Sequence, residues 1–485
     1  MAGFLPAPAT PWPERRDRAL ADRTLRGAIS RTTHHLAAQR REAYAGYPRG
    51  EELQEQALAS RRAGVARLDE LIATASRNVE ARGGRVVRAA GPLDVARHVL
   101  DVARRRNALR VVKSKSMATE EIELNRRLEA GGLKVRETDL GEYIIQLAGE
   151  HPSHIIVPAA HKTRGQIREL FDAEARAVGT APPADESTPA LTAFARRQLR
   201  EDFLRADIGI SGGNYLVAET GTLVLITNEG NGRMSTTLPP VHIAVVGIDK
   251  VVASWADLGV LLQQAPLSGT GQRLTTYVSL ISGPRRAGEL DGPDEFHLVL
   301  LDNGRHELLD TEYADTLTCI RCGSCLNVCP VFRTVGGHAY GSVYSGPIGI
   351  VLTPLLGGLA QAAELPESAC TLCHACRDAC PMDIDLPQHI LSLREREVTE
   401  GLTARSLDLT YEVWARLWAS PAGYRSTTRL ARLGQRAYVR NGTLGRVPGH
   451  LPPPGLLAGW LSTRDAPPVA AETFHEWWAR TRGET

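Results

Sequence analysis

Cys319-Ile-Arg-Cys322-Gly-Ser-Cys325-Leu-Asn-Val-Cys329-Pro330 and Cys370-Thr-Leu-Cys373-His-Ala-Cys376-Arg-Asp-Ala-Cys380-Pro381 hold all eight cysteines of a 485-residue chain. Both stretches read C-x2-C-x2-C-x3-C-P, the spacing with which bacterial-type ferredoxins ligate two cubane [4Fe–4S] clusters. Three thiolates two residues apart wrap one face of a cube, while the fourth, followed by proline, turns away and reaches the neighbouring cluster. The spacing therefore assigns Cys319, Cys322, Cys325 and Cys380 to one cluster, and Cys329, Cys370, Cys373 and Cys376 to the other. Structural zinc uses pairs of cysteines a dozen or more residues apart, so a third cysteine two residues on, twice over, fits it poorly. Disulfides need an oxidising compartment, and Met1-Ala-Gly-Phe-Leu-Pro6 has neither the basic start nor the apolar run of a secretory signal. With no cysteine elsewhere, each one is expected to be a ligand.

Between the two runs, Gly346 to Ala363 is apolar but interrupted by Pro347, Pro354 and several glycines. A membrane-spanning helix needs about 20 mostly apolar residues, so this segment is expected to pack over the clusters rather than cross a bilayer. No transmembrane segment is expected anywhere, and the reading is of a soluble cytoplasmic protein that can still dock on a membrane partner. After Cys380, Met382-Asp-Ile-Asp-Leu-Pro387 reads as the acid-capped start of a helix running to Glu400.

Upstream of the cysteines, residues 84–305 alternate short β-rich runs with helical ones, the pattern of an α/β domain with a largely parallel sheet. Strands are expected at Arg85–Arg88, Leu109–Val112, Lys134–Glu137, His154–Val157, Asp207–Ile210, Gly221–Thr227, His242–Val246, Tyr277–Ile281 and Phe296–Leu301. Ligands of such sheets lie beyond the carboxyl ends of the strands. Three loops stand out there. Lys113-Ser-Lys115-Ser-Met117 places two of only five lysines after a strand and before a helix starting near Ala118, which suits an anion. Ser211-Gly212-Gly213-Asn214 leads to Glu219, its glycines permitting close backbone approach. Asn228-Glu-Gly-Asn-Gly-Arg233 reads as a turn closing a hairpin. Lys113, Lys115, Gly212, Gly213 and Glu219 thus form a candidate anion or partner site. A G-x-G-x-x-G dinucleotide fingerprint is absent from these loops.

Residues 1–83 read as a helical extension, with a solvated arginine-rich start at Arg15, Arg16, Arg18, Arg23 and Arg26 and one helical run from Glu51 to Arg82. Nothing in it suggests chemistry. Residues 306–400 form the cluster domain, and 401–485 a tail with five of the seven tryptophans, Trp414, Trp418, Trp460, Trp477 and Trp478, around a Pro-rich linker at Pro448–Pro454. Tryptophan buries much area at interfaces, so the tail is expected to wrap its own protein or a partner. A net charge of +2 gives no reason to expect nucleic acid as a partner.

Glu137-Thr-Asp-Leu-Gly-Glu142-Tyr-Ile-Ile-Gln, Ala218-Glu-Thr-Gly-Thr-Leu, Asn228-Glu-Gly-Asn-Gly-Arg233, the twin cysteine runs and the Trp477-Trp478 pair together resemble the lactate utilization protein B family over nearly the whole chain beyond about residue 30. The resemblance implies an iron–sulfur electron carrier in a three-protein system that oxidises L-lactate to pyruvate. It also implies an α/β domain similar to the sugar-phosphate isomerase and CoA-transferase superfold, followed by an all-α ferredoxin-type domain carrying two [4Fe–4S] clusters. On this reading the chain is an oxidoreductase subunit inactive alone, partnered by the other proteins of a lactate-oxidation complex and by an electron acceptor the sequence does not identify. Three alternatives stay open. The substrate could be another 2-hydroxy acid such as glycolate; the α/β domain could do acyl-transfer or isomerase chemistry with Glu219 as nucleophile or base and Lys113 and Lys115 holding an anion; or the clusters could serve a sensor or scaffold.

Overall fold

A computed structural model gives the fold, describing residues 8, 10–436, 439–440, 442–444 and 467–482. The described residues fall into two compact units, one ending at Glu400 and one beginning at Gly401.

Four helices open the first unit: α1 (Trp12–Ala21), α2 (Arg23–Ala45), α3 (Gly50–Ala66) and α4 (Leu68–Ala81). The Asp22 side chain accepts from Leu25 N–H at 2.9 Å and starts α2. The single run expected from Glu51 to Arg82 is broken at Arg67, whose φ of −117° leaves the helical range. Leu68, Leu71, Ile72, Ala75 and Val79 put one stripe of α4 into the core. Of the arginines expected to be solvated, Arg15 is not: its Nη2 lies 2.6 Å from Glu364 and its Nε donates to Ala339 O at 2.8 Å. Helix α1 is thereby tied to the segment between the cysteine runs, with Trp12 edge-on to Tyr340 at 5.4 Å.

The strands are β1 (Arg85–Ala89), β2 (Arg110–Lys113), β3 (Lys134–Glu137), β4 (Ile208–Ser211), β5 (Tyr215–Val217), β6 (Thr222–Thr227), β7 (Val241–Gly247), β8 (Val251–Val252), β9 (Tyr277–Ile281) and β10 (Glu295–Leu301). Six of them build an all-parallel sheet in the order β1-β10-β7-β4-β2-β3. Every residue of β7 is buried, as befits a central strand covered on both faces. Each such valine or isoleucine contributes about 1.5–3 kcal/mol by leaving water. Gly209 sits mid-strand because the helix Asn231–Thr237 crosses it; a Cβ there would meet Ser235 O at 1.7 Å.

Two expectations change here. The strands at Gly221–Thr227 and Tyr277–Ile281 exist but belong to a separate four-stranded sheet, β8-β5-β6-β9, whose β5 and β8 are too short to show an alternating pattern. Residues 228–233 accordingly close no hairpin; Asn231 opens a helix that carries the chain back to the parallel sheet. His154–Val157 is no strand either. The His154 ring takes up the local backbone instead, Nδ1 accepting from Ile156 N–H at 3.0 Å and Val157 N–H at 3.2 Å, and a side chain that bonds its own backbone competes with a ladder.

From residue 302 to Glu400 the described regular elements are helices and 3-10 turns only. The apolar helix Gly346–Gly357 is 12 residues long and almost wholly buried, about 18 Å against the roughly 30 Å of a bilayer core. No helix among the described residues is long and apolar enough to cross a membrane. The helix Leu386–Thr399 starts where Asp385 accepts from Gln388 N–H at 3.2 Å.

In the second unit, helices Arg405–Trp418, Pro421–Gln435 and Phe474–Arg482 are linked by aromatic contacts, Trp414 to Trp418 at 5.3 Å and Trp418 edge-on to Tyr424 at 5.1 Å. Arg432 and Glu476, 2.8 Å apart, fasten the last helix to its neighbour. Trp460 and the segment Pro448–Pro454 lie outside the described residues.

Candidate functional site

The two cysteine runs are wound the same way. After the 3-10 turn Ala314–Thr318, Arg321 and Gly323 take positive φ (57° and 74°) before the short helix Ser324–Val328; Leu372 and His374 repeat this (52° and 63°) before Ala375–Asp378. This winding turns main-chain amides towards sulfur, Arg321 N–H to Cys319 Sγ at 3.4 Å and Leu372 N–H to Cys370 Sγ at 3.3 Å. Such nests of amides stabilise anionic sulfur.

All eight thiols are free. Burial pushes the Cys380 thiol up to about 12, with Cys319 and Cys322 adding to the rise, and the same causes with Cys380 itself raise Cys325. Burial likewise pushes Cys329 up to about 11 with Cys370 and Cys373 beside it, and Cys376 up to about 12 beside Cys329, Cys370 and Cys373. Thiols of the two runs thus act on one another, Cys380 on Cys325 and Cys370 and Cys373 on Cys329, with Cys376 also raising Cys325. Crowded thiols that resist ionisation on their own suit a metal, which deprotonates coordinating thiols outright. Eight free cysteines drawn from the two runs fit thiolate ligation of iron–sulfur clusters.

Cations surround the first run. Lys250 Nζ donates to Cys319 O at 3.0 Å and pairs with Asp249 at 2.8 Å. Arg40 bridges the runs, lowering Cys322 by its charge while its Nη2 donates to Ala379 O of the second run at 3.0 Å. Fully buried Arg61 donates Nε to Thr318 O at 3.2 Å and Nη2 to Leu317 O at 2.7 Å. Sequence reasoning saw no chemistry in residues 1–83, yet α2 and α3 place these guanidiniums against the cysteine loops. A signal existed: Arg61 occupies the buried stripe Leu53, Ala57, Arg61, Gly64 of α3, where a solvated arginine does not belong. His154 was also missed in this role. Its ring, pushed down to about 4 by burial, donates Nε2–H to Asn327 Oδ1 at 3.1 Å, in the helix between Cys325 and Cys329.

A cleft of about 570 Å³ opens at the carboxyl ends of the parallel strands, walled by the loops after β2 and β4 and, opposite them, by Ile320, Arg321 and Cys322. Lys115, Gly212 and Gly213 line it. Lys113 does not. It is fully buried with Nζ 2.5 Å from Glu120 and 2.7 Å from Glu137; burial favours its neutral form, but the two carboxylates override it and hold the ammonium above its ordinary range. Its charge is satisfied inside the fold, because β2 points it at the helix Met117–Glu121 and at β3, so it cannot serve an external anion. Glu219 lies apart from the cleft walls, its Oε2 accepting from Trp255 N–H at 3.1 Å. Gly212 and Gly213 are demanded by the protein itself: a Cβ on Gly212 would meet Ser116 Oγ at 2.5 Å, and one on Gly213 would meet Leu223 Cδ1 at 2.6 Å.

Also lining the cleft, Arg305 pairs its Nη2 with buried Glu121 and its Nε with Asp249, each at 2.8 Å, and Tyr344 donates its hydroxyl to Glu121 at 2.6 Å. This buried network ties the parallel sheet to the segment between the cysteine runs.

Comparison with known proteins gives three matching families in chain order: the LUD domain over residues 72–301, a 4Fe-4S dicluster domain over 315–384, and lactate utilisation protein B, C-terminal, over 395–483. The chain is 41% identical to lactate utilization protein B of Bacillus subtilis (strain 168) over 468 residues, covering 96% of this chain and 95% of that protein. It is 41% identical to lactate utilization protein B of Shouchella clausii over 475 residues, 98% of each. It is 42% identical to the Escherichia coli (strain K12) protein named uncharacterized electron transport protein YkgF over 465 residues, 96% of this chain and 95% of that one.

Proposed function

This chain belongs to the lactate utilization protein B family, and we propose that it is the iron–sulfur electron carrier of a system that oxidises L-lactate to pyruvate. The observation that carries the reading is eight free thiols in two identically wound runs that act on one another, which suits two [4Fe–4S] clusters, with Cys319, Cys322, Cys325 and Cys380 holding one and Cys329, Cys370, Cys373 and Cys376 the other. Such clusters, when bound, supply one-electron transfer and carry no proton. Converting a 2-hydroxy acid to a 2-oxo acid releases two electrons and two protons. With four cysteine sulfurs assigned to each, the clusters would supply electron relay, and removal of the carbon-bound hydrogen would fall to a partner protein. Its residues hold the relay: the left-handed loops aim amides at sulfur, and Lys250, Arg40 and Arg61 offset the negative charge of the thiolates.

The acyl-transfer alternative finds no support in the geometry, since Glu219 is engaged at the start of the helix Trp255–Thr270 and Lys113 is paired internally. The all-parallel six-stranded sheet agrees with kinship to the sugar-phosphate isomerase and CoA-transferase superfold. A cytoplasmic place of action suits eight unpaired thiols, because reducing conditions keep them available to iron.

The test is reconstitution. Anaerobically prepared holoprotein alone is expected not to oxidise L-lactate with an artificial acceptor, and to do so once its partner proteins are added, with pyruvate formed. Glycolate run in parallel separates the two substrates. Oxidation of lactate by this chain alone would overturn the carrier reading.

A further inference from the structure

In the parallel sheet, β2 is followed by β3 on one side, whereas β4 is followed by β7 on the other. The chain therefore reverses direction between β2 and β4, and a crevice outside the carboxyl ends at such a switch point is where open α/β sheets receive ligands. The 570 Å³ cleft occupies that crevice. What distinguishes it is its far wall, which comes from the first cysteine run. Four cations line it; Lys250 and Arg305 are paired with Asp249 and, for Arg305, Glu121, whereas Lys115 and Arg321 are less fully met. Lys115 Nζ donates to Ile156 O at 2.7 Å, which leaves two of its three hydrogens, and none of the described carboxylates lies within 4.0 Å of it. Arg321 has its nearest carboxylate, Asp249, at 3.8 Å, and its Nη1 is buried without a hydrogen-bond partner among the described residues. A buried guanidinium nitrogen without a partner carries an uncompensated desolvation penalty unless something meets it. The walls between are largely apolar, including Ile156 and Ile226.

We infer that this crevice binds a small organic carboxylate, its charge met by Lys115 and Arg321 and its carbon skeleton held against the apolar wall. The cleft also presents Glu229, whose carboxyl burial and the nearby Asp139 push up to about 7, and which accepts only a long contact from Leu140 N–H at 3.3 Å. A carboxyl that both donates and accepts near neutrality matches the hydroxyl or oxo group of a 2-hydroxy or 2-oxo acid. The choice of that acid class rests on the carrier reading; the anion site itself rests on the geometry of the cleft.

Calorimetric titration of the anaerobic holoprotein with L-lactate, pyruvate, glycolate and inorganic phosphate tests it. The expected result is saturable binding of at least one of the three carboxylates with a Kd on the order of 1 mM or tighter. Lys115→Ala should weaken this by about tenfold or more with iron content unchanged, and Ala265→Phe, which fills the cleft from the helix Trp255–Thr270, should abolish it. Absence of carboxylate binding, equal binding by both variants, or phosphate binding as tightly as the carboxylates would each overturn the inference. Carboxylate binding without electron relay in the reconstituted system would leave this site standing and remove the carrier reading; relay without carboxylate binding by this chain would do the reverse.

Discussion

Around Cys319–Cys329 the chain closes in from several sides: α3 brings Arg61, the turn after β7 brings Lys250, Ser324 donates its hydroxyl to Ser268 O at 2.7 Å, and Cys322 borders the cleft. Around Cys370–Cys380 the surroundings are thinner. Cys373 is exposed, and support comes from Arg40, donating to Ala379 O at 3.0 Å, and from Arg394, donating to Pro366 O at 2.6 Å and Cys370 O at 3.0 Å from the helix Leu386–Thr399. One spacing thus sits in two settings, an inner one beside the ligand crevice and an outer one at the surface. The motif decides which atoms bind, and the packing around it decides what each end can meet.

Four substitutions probe that contrast. The largest effect is expected from Cys373→Ser, at the outer end, which should abolish acceptor reduction in the reconstituted system while circular dichroism of the parallel-sheet region is retained. Retained full turnover would make the outer group structural. Cys380→Ser sharpens the comparison by crossing it: although it lies in the second run, the damage should appear in the group of Cys319, Cys322 and Cys325, with iron falling by about half. Electron paramagnetic resonance assigning the damage to the group of Cys370, Cys373 and Cys376 would refute the crosswise arrangement.

Next in size is Arg305→Leu, under the inner end. It leaves Glu121 and Asp249 buried without their shared partner and should cost about 3–5 kcal/mol in denaturant unfolding. Burial pushes both carboxyls up, but Arg305, joined at Asp249 by Lys250, overrides it and holds both below their ordinary values. Depressed carboxyls stabilise the fold above their unfolded values of 4.5 and 3.8 and lose that contribution as pH falls. The stability gap between wild type and Arg305→Leu should therefore narrow below about pH 4; a gap constant with pH would contradict this network. The smallest effect is expected of Tyr344→Phe, which removes one hydrogen bond to Glu121 and should cost about 1–3 kcal/mol.

The sequence was most legible where local rules act alone. Cysteine spacing identified the candidate ligands, and buried parallel strands such as β7 and β10 announced themselves as apolar runs. It was least legible where a single side chain redirects the backbone or finds a distant partner. His154 turns an apolar run that reads as a strand into a clamp on Asn327, and Lys113, promising as a loop cation, is claimed by Glu120 and by Glu137 across the strand pair. Arg61 spans more than 250 positions to reach Thr318, a contact no local pattern reveals. Which sheet a strand joins is equally non-local, so β6 and β9 read correctly as strands without revealing that they pair apart from the main sheet.

The central claim is that one chain carries two cubane clusters in series, and elemental analysis of anaerobically purified protein tests it most directly. The account predicts about eight irons and eight acid-labile sulfides per chain, with visible absorption that bleaches on reduction. One or two zinc ions per chain with no visible absorption, or iron for a single cluster only, would contradict it.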